Sequence, residues 1–323
     1  MCTGGMMMET NNRVWGMALI ALLLLLFTGA YYEEETVAVS APVLLAQQGE
    51  VSVYAGAINL PAGESVQFSR RELLQGHLLC VSASSPLPED MPVQQAHNVR
   101  SMVGLYVPAA QSVSLCEEAV YALCDLCAEN PLIRTWITDG VRSPSQQRAL
   151  QNQTFESYRL TMSTQAALAA ARRDVPDSGK SEHQLATVFD VQFTGTLDWS
   201  KPDTLERSAD GVWLKENAWK YGFIRRYSPE KAQITGVLNE EAHFRYVGRE
   251  HALVMHLTSW CLEEYLQALA DYGALTILQN DEISYILSRP MDAQGAAFSV
   301  PRGYSCTVSA DNLGYAVCLL RRN

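Results

Sequence analysis

Residues 181–193 read SEHQLATVFDVQF, and this stretch decides how the chain is expected to fold. Its first half follows the sequence PDSG at residues 176–179, which has the composition of a loop. Its second half, residues 188–193, is typical of a strand. The chain can therefore fold back on itself here and bring His183, at the end of the loop, beside Asp190, within the strand.

On both sides of this stretch, helices and strands are interleaved without a regular βαβ rhythm, which favours an α+β fold. Ser114 is a predicted helix N-cap, because Glu117 three residues later completes a capping box. The predicted helices cover residues 114–128, the segment from 145, and residues 164–173, 213–221 and 257–272. The predicted strands are residues 78–81, 133–137, 188–193, 223–226 and 243–247.

Three side chains have the chemistry of a catalytic zinc site. His183, Asp190 and His243 supply nitrogen and oxygen ligands and leave the fourth position of the ion for water. Glu240, shortly before His243, can reach that water without binding the ion, which suits a general base. The other histidines follow no comparable ligand pattern and are interpreted as structural or surface residues: His77, His97, His251 and His256.

Several blocks of this sequence resemble, in the same order, those of the VanY-type D-alanyl-D-alanine carboxypeptidases, and the resemblance spans roughly residues 75–270. The matching blocks are Gly140, Arg142, Ser143 and Gln147; residues 181–184 with Asp190; residues 213–218 and 220–223; and Glu240 with residues 243–248. The resemblance implies a compact zinc carboxypeptidase domain over residues 75–272, with Zn²⁺ on an antiparallel sheet.

By the same resemblance, the substrate is a peptidoglycan stem peptide that loses its C-terminal D-alanine. Arg142 is expected to hold the substrate carboxylate through a paired, charge-assisted contact. Gln147 and Ser181 are implied as neutral helpers in substrate binding, and Glu240 as the base. Glu182 and Glu241 adjoin functional residues but are expected to be solvated, since neighbours on an extended chain face opposite sides.

The chain departs from the family pattern at three positions near the expected metal. Ala186 replaces a usual Gly, Val188 replaces a small Ala, and Ala242 replaces a Trp. None of these changes removes a ligand or the base, but each changes the pocket volume. An L,D-carboxypeptidase, a D,D-dipeptidase of the same fold and a non-catalytic wall-binding protein therefore stay open as alternatives.

The N-terminal residues 1–32 are expected to direct the protein out of the cytoplasm. Arg13 precedes an uncharged, mostly apolar stretch that continues to Glu33 and has the length of a membrane-spanning helix. The cation before it and the acidic residues after it favour a cytoplasmic N-terminus and an extracytoplasmic chain. Thr28-Gly29-Ala30 can also serve as a cleavage site, in which case the protein is secreted.

The remaining segments carry weaker signals. Residues 33–74 have the composition of a stalk or loosely packed lead-in, and residues 273–323 that of a small C-terminal β unit. Cys306 and Cys318 flank a plausible hairpin turn and can be bridged there or remain free thiols. A net charge of −11 argues against a general nucleic-acid binder, because no basic surplus exists to neutralise phosphates.

Overall fold

The computed structural model describes residues 42–132, 135–193, 205–238 and 240–323. The predicted membrane or signal segment, residues 1–32, lies outside this range and stays a prediction. In the part of the chain that is described, no helix is both long and apolar enough to span a bilayer.

The described residues form strands and helices with the following bounds. The strands are β1 (Val43–Gln48), β2 (Val51–Ala55), β3 (Glu64–Ser69), β4 (His97–Asn98), β5 (Ser114–Leu115), β6 (Thr135–Asp139), β7 (Val188–Phe193), β8 (Phe223–Tyr227), β9 (Glu240–Tyr246), β10 (Ala274–Gln279), β11 (Glu282–Pro290), β12 (Gly295–Val300), β13 (Tyr304–Ala310) and β14 (Tyr315–Arg322). The α-helices are α1 (Arg70–Leu73), α2 (Val99–Val103), α3 (Glu117–Glu129), α4 (Pro144–Arg159), α5 (Thr164–Asp174), α6 (Ala209–Asn217), α7 (Ala232–Thr235), α8 (Arg249–Thr258) and α9 (Leu262–Tyr272). Short 3-10 helices cover Glu182–Leu185, Ala218–Tyr221 and Pro229–Lys231.

A four-stranded antiparallel sheet in the order β6-β7-β9-β8 lies at the centre of the predicted peptidase domain. Successive residues of β7 point to opposite faces of the sheet. Phe189 is buried in the core that β7 shares with Leu123 of α3, whereas Asp190 projects from the other face. The prediction of a mixed fold with an antiparallel sheet is confirmed.

A second sheet joins the two ends of the described chain in the order β1-β2-β10-β11-β14-β13. Its strands β2 and β10 pair antiparallel, with Val53 opposite Ile277. From residue 43 onward, the predicted lead-in of residues 33–74 therefore contributes strands to the sheet of residues 273–323. The predicted separation of these two segments differs from the structure because their pairing joins residues more than 200 positions apart, which local composition does not reveal.

Residues 78–81, predicted as a strand, form no strand. The carbonyl oxygens of His77 and Leu79 accept hydrogen bonds from the Arg245 guanidinium, at 2.8 and 3.0 Å, instead of from a neighbouring strand. The amide of Leu78 donates to the Ser309 hydroxyl at 2.9 Å. Side chains, together with the Asp311 carbonyl that accepts from the Cys80 amide at 2.9 Å, therefore satisfy this backbone, which a sequence pattern for strands cannot anticipate.

Two predicted helix boundaries are also wrong. Helix α3 begins after Cys116 and not after Ser114, because Ser114 pairs with Asn98 in the short β4–β5 ladder. The helix predicted over residues 257–272 is divided into α8 and α9, because Ser259 adopts the left-handed conformation at φ 58°. The predicted helix after Pro144 forms with that residue in its first turn.

The hairpin predicted between Cys306 and Cys318 forms, but both thiols are free. In the β13–β14 register, Cys306 lies opposite Leu320, and Cys318 lies opposite Val308. The two cysteines are therefore offset by two positions along the ladder and do not form a directly facing pair.

Candidate metal centre and active site

The 3-10 helix Glu182–Leu185 ends just before β7 and positions His183. The His183 ring is 4 % exposed, and its Nδ1 lies 2.6 Å from the carbonyl oxygen of Gly140. Residue 140 also passes close to the backbone of Ser114. A Cβ atom there would lie 2.6 Å from the Ser114 carbonyl oxygen, so glycine is required for the two segments to come this close. With Nδ1 donating to that carbonyl, the Nε2 lone pair is available to a metal ion.

Asp190 and His243 are brought together by the register of the sheet, in which they face each other across β7 and β9. One Asp190 carboxylate oxygen lies 3.1 Å from His243 Nδ1, and the other lies 3.2 Å from His183 Nε2. Metal-ligating atoms of these three residues all lie within 4.8 Å of one another. Two imidazole nitrogens and a carboxylate oxygen fit the donor set of a catalytic zinc ion, so the three predicted ligands are brought to one point.

Glu182 supports His243 from the side away from Asp190. Its Oε2 lies 3.3 Å from His243 Nε2, which fixes the tautomer that leaves Nδ1 free for a metal ion. The residue is 3 % exposed, so its predicted solvated position is wrong. Two guanidinium groups compensate the buried charge, because Arg245 and Arg226 donate to Glu182 Oε1 at 2.6 and 2.9 Å.

Sequence reasoning missed this charged network behind the three predicted metal ligands. Arg226 and Arg245 are almost fully buried, and Arg226 also contacts Glu263 at 2.6 Å. The available signal was Glu182 itself, a carboxylate directly beside the candidate ligand His183. Histidines that bind a metal ion commonly donate their second ring N–H to a carboxylate.

The electrostatics of the cluster are dominated by these close pairs. Burial lowers the pKa of His243, but Asp190 and Glu182 outweigh burial and raise this pKa to about 9. Burial raises the pKa of Asp190, yet its close contacts with the His183 and His243 imidazoles hold this pKa well below its usual range. The two carboxylates therefore favour positive charge at this point, whether it is carried by His243 or by a bound cation.

Glu240 lies beside the metal-ligating residues. Its Oε2 is 3.9 Å from His243 Nδ1, and 45 % of its side chain is exposed. Residues three apart on a regular strand point to opposite faces, but the β8–β9 register shifts between Arg225 and Tyr227 and permits this contact. Partial burial raises the pKa of the Glu240 carboxyl, while nearby His243 lowers it. This position beside the predicted ligands is the one expected for the predicted base.

Arg142 lies next to Asp190 with its guanidinium held from several sides. Its Nε donates to Asp139 at 2.8 Å, Nη1 to Gln147 at 3.2 Å and Nη2 to Asp190 at 3.4 Å. Gln147 is fully buried, and its own amide nitrogen donates to the Pro176 carbonyl at 2.8 Å. Gln147 therefore orients Arg142, which is a more specific arrangement than the general helper role predicted for it.

Ser181, the remaining predicted site residue, is 5 % exposed and is the N-cap residue of the helix that carries His183. Its hydroxyl makes no capping hydrogen bond to that helix. The structure thus brings all seven predicted site residues into one region, with the ligands and Glu240 at its centre and Arg142 beside them.

Comparison with known proteins agrees with the family resemblance of the sequence. A family model described as VanY, D-alanyl-D-alanine carboxypeptidase, matches residues 114–249, which contain all seven predicted site residues. A D-alanyl-D-alanine carboxypeptidase of Enterococcus faecium is 25 % identical over 251 residues, covering 76 % of this chain and 75 % of that protein. The bifunctional D-Ala-D-Ala dipeptidase and D-Ala-D-Ala carboxypeptidase VanXYC of Enterococcus gallinarum is 33 % identical over 145 residues, covering 44 % of this chain and 70 % of that protein.

Among solved structures, the chain is similar to the vancomycin resistance D,D-dipeptidase VanXYg in complex with a D-Ala-D-Ala phosphinate analogue. The TM-score is 0.67 at 22 % identity, and the match covers 80 % of this chain and 99 % of that chain. At this level of identity the similarity establishes a shared fold.

Proposed function

This chain belongs to the VanY family of D-alanyl-D-alanine carboxypeptidases, and we propose that it is a zinc-dependent D,D-carboxypeptidase acting on peptidoglycan stem peptides. The observation that supports this most directly is the meeting of His183, Asp190 and His243 with Glu240 and Arg142 on one side of the sheet. A base and a carboxylate anchor beside a metal centre are the groups that removal of a C-terminal residue requires.

In this proposal, the zinc ion would be held by His183 Nε2, His243 Nδ1 and an Asp190 carboxylate oxygen. The chemistry supplied by a bound zinc ion would be a lower pKa of water and polarisation of the scissile carbonyl. Glu240 takes the proton from the attacking water and returns it to the departing amine of D-alanine. Glu182 keeps the His243 ring in the orientation that this arrangement needs.

Arg142 is proposed to bind the carboxylate of the terminal D-alanine. Its contact with Asp190 at 3.4 Å is the longest of its three, so Nη2 is the nitrogen most readily turned towards a substrate. Because Asp139 and Gln147 hold the other nitrogens, the guanidinium plane is oriented before substrate arrives. An anchor at a set distance from the metal limits cleavage to the last peptide bond.

Replacing Arg142 by Lys is expected to lower kcat/KM about 10- to 100-fold, mainly through a higher KM, because an ammonium group cannot keep the hydrogen bonds to Asp139 and Gln147 and also present a donor to the substrate carboxylate. Initial rates over a range of stem-pentapeptide concentrations measure this change. Arg148→Lys on the exposed side of α4 is the matched control and is expected to behave like the parent protein. An Arg142→Lys protein with unaltered KM would remove Arg142 as the anchor.

D,D-dipeptidase activity is the second candidate, because the relative VanXYC carries both activities in its name. The two reactions share the metal centre and differ in how much peptide the pocket accepts before the scissile bond. Hydrolysis of free D-Ala-D-Ala, measured beside release of D-alanine from the pentapeptide, separates them by the ratio of the two kcat/KM values.

The proposed function is tested by release of D-alanine from a muramyl pentapeptide, with purified protein before and after chelation. Release is expected with zinc, and it should be lost on chelation and recovered when zinc is returned. Cleavage of the tetrapeptide alone would favour the L,D-carboxypeptidase. If zinc-loaded protein cleaves no peptide at all, the non-catalytic wall-binding alternative replaces the proposal.

A further inference from the structure

A second group of metal-ligating side chains lies apart from the predicted catalytic centre. It consists of His77, Cys116 and Glu118, whose ligand atoms lie within 4.8 Å of one another. Among the described residues, only this group and the His183 cluster bring three potential ligands so close together. Neither the family resemblance nor the proposed reaction uses any of the three.

We propose that His77, Cys116 and Glu118 bind a second divalent metal ion of the thiolate-accepting class, with zinc as the first choice. An imidazole nitrogen, a sulfur and a carboxylate oxygen are all ordinary zinc ligands, with bond lengths of about 2.0 to 2.3 Å. The thiolate disfavours Mg²⁺ and Ca²⁺, which prefer oxygen ligands. A water molecule would complete a tetrahedral arrangement.

The backbone around two of the ligands is held in place, as expected for a preorganised site. The His77 carbonyl accepts a hydrogen bond from Arg245 at 2.8 Å, and its ring meets the edge of Tyr246 with centroids 5.1 Å apart. Cys116 is anchored through its amide, which donates to the Ala186 carbonyl at 2.7 Å. Glu118 lies in the first turn of α3, where an exposed side chain can adjust to an ion.

The group borders a cavity of about 220 Å³, which leaves room for the ion and its water ligand. The other lining residues are mostly polar: Gln75, Gln94, Gln95, His97, Glu117 and Leu185. Polar lining matters because a water molecule bound to a metal ion needs further hydrogen-bond partners. The cavity therefore supplies hydrogen-bond partners for the metal-bound water, which the three ligating side chains do not.

Metal binding at this site needs a neutral imidazole and a deprotonated thiol. Burial lowers the pKa of His77, so its ring is neutral and offers a lone pair at neutral pH. Burial raises the pKa of the Cys116 thiol to about 12. Binding would therefore exchange the thiol proton for the metal ion and release that proton to solvent.

The proposed site is linked by hydrogen bonds to the residues that support the catalytic centre. Arg245 donates both to the His77 carbonyl and to Glu182, the partner of His243. The Cys116 amide holds the carbonyl of Ala186, directly after the helix that carries His183. An ion here would tie residue 77 to the start of α3 and stabilise the layer behind the catalytic cluster.

Titration of metal-free, full-length protein with Co²⁺ tests the proposal independently of hydrolysis. A thiolate ligand gives an intense charge-transfer absorption in the near ultraviolet, which the sulfur-free His183 cluster cannot produce. Two equivalents of Co²⁺ are expected, one of them with this absorption. His183→Ala is expected to lose one equivalent and keep the absorption, whereas Cys116→Ser loses the other equivalent together with the absorption.

Two further variants control for misfolding and for other thiols. Cys124→Ser, on the same helix, is expected to keep the absorption, and Glu118→Gln at an exposed position should weaken Co²⁺ binding at least about tenfold with an unchanged circular dichroism spectrum. Binding of a single equivalent without thiolate absorption would overturn the proposal. Absorption that persists in Cys116→Ser would overturn it as well.

Discussion

Replacing Glu240 by Gln is expected to lower turnover of a D-alanine-terminated stem peptide by roughly 10²- to 10⁴-fold, the usual contribution of a general base. The amide has nearly the shape of the carboxylate but cannot accept a proton from water. Because 45 % of the Glu240 side chain is exposed and it is not among the predicted ligands, the fold and the zinc content should be unchanged. Single-turnover release of D-alanine, with the enzyme in saturating excess over the peptide, measures the effect on chemistry alone.

Glu230→Gln is the matched control for this experiment, because Glu230 is an exposed carboxylate on the nearby 3-10 helix Pro229–Lys231. It is expected to retain the parent rate. Turnover by Glu240→Gln within about threefold of the parent rate would assign the base to another group. Loss of zinc from Glu240→Gln would instead indicate that this carboxylate is a ligand.

Glu182→Gln is expected to destabilise the protein by about 3 to 5 kcal/mol, because removing one partner of a buried ion pair leaves the opposite charges uncompensated. Arg226 keeps its contact with Glu263, but the Nη1 of Arg245 loses the carboxylate that it contacts at 2.6 Å. The same change should weaken zinc binding by about 10- to 100-fold, since Glu182 orients the His243 ring.

Two measurements separate these effects. Urea unfolding of metal-free protein reports the loss of stability, and competition with a chromophoric chelator reports zinc affinity. Glu264→Gln is the control, because its ion pair with Lys231 at 2.6 Å is partly exposed and should contribute at most about 1 kcal/mol. If Glu182→Gln unfolds at the same urea concentration as the parent and binds zinc with the same affinity, the buried carboxylate neither stabilises the fold nor orients His243.

Much of the predicted site depended on the identity and order of a few residues. The types of His183, Asp190 and His243 indicate a zinc site, and the resemblance of the surrounding blocks singles them out from the other histidines. The element that carries Asp190 could be predicted because strand signals act over a few neighbouring residues. The start of helix α4 could be predicted for the same reason, since Pro144 and the Ser143 cap act locally.

The role of Glu182 could not be predicted in this way. Its environment depends on Arg226 and Arg245, which lie 44 and 63 positions further along the chain. The contact of Glu240 with His243 likewise depends on an irregularity in the pairing of β8 with β9. A regular strand would have placed the two side chains on opposite faces.

The amino-acid sequence by itself determined which side chains can serve as metal ligands and as a base, and which local elements carry them, because these depend on residue chemistry and on short-range hydrogen bonding. Only the tertiary structure decided that Glu182 is a buried partner of His243, that His77 meets Cys116 and Glu118, and that strand β2 pairs with β10. Burial and pairing between distant segments depend on which surfaces the whole chain packs together. Local sequence patterns do not show which surfaces these are.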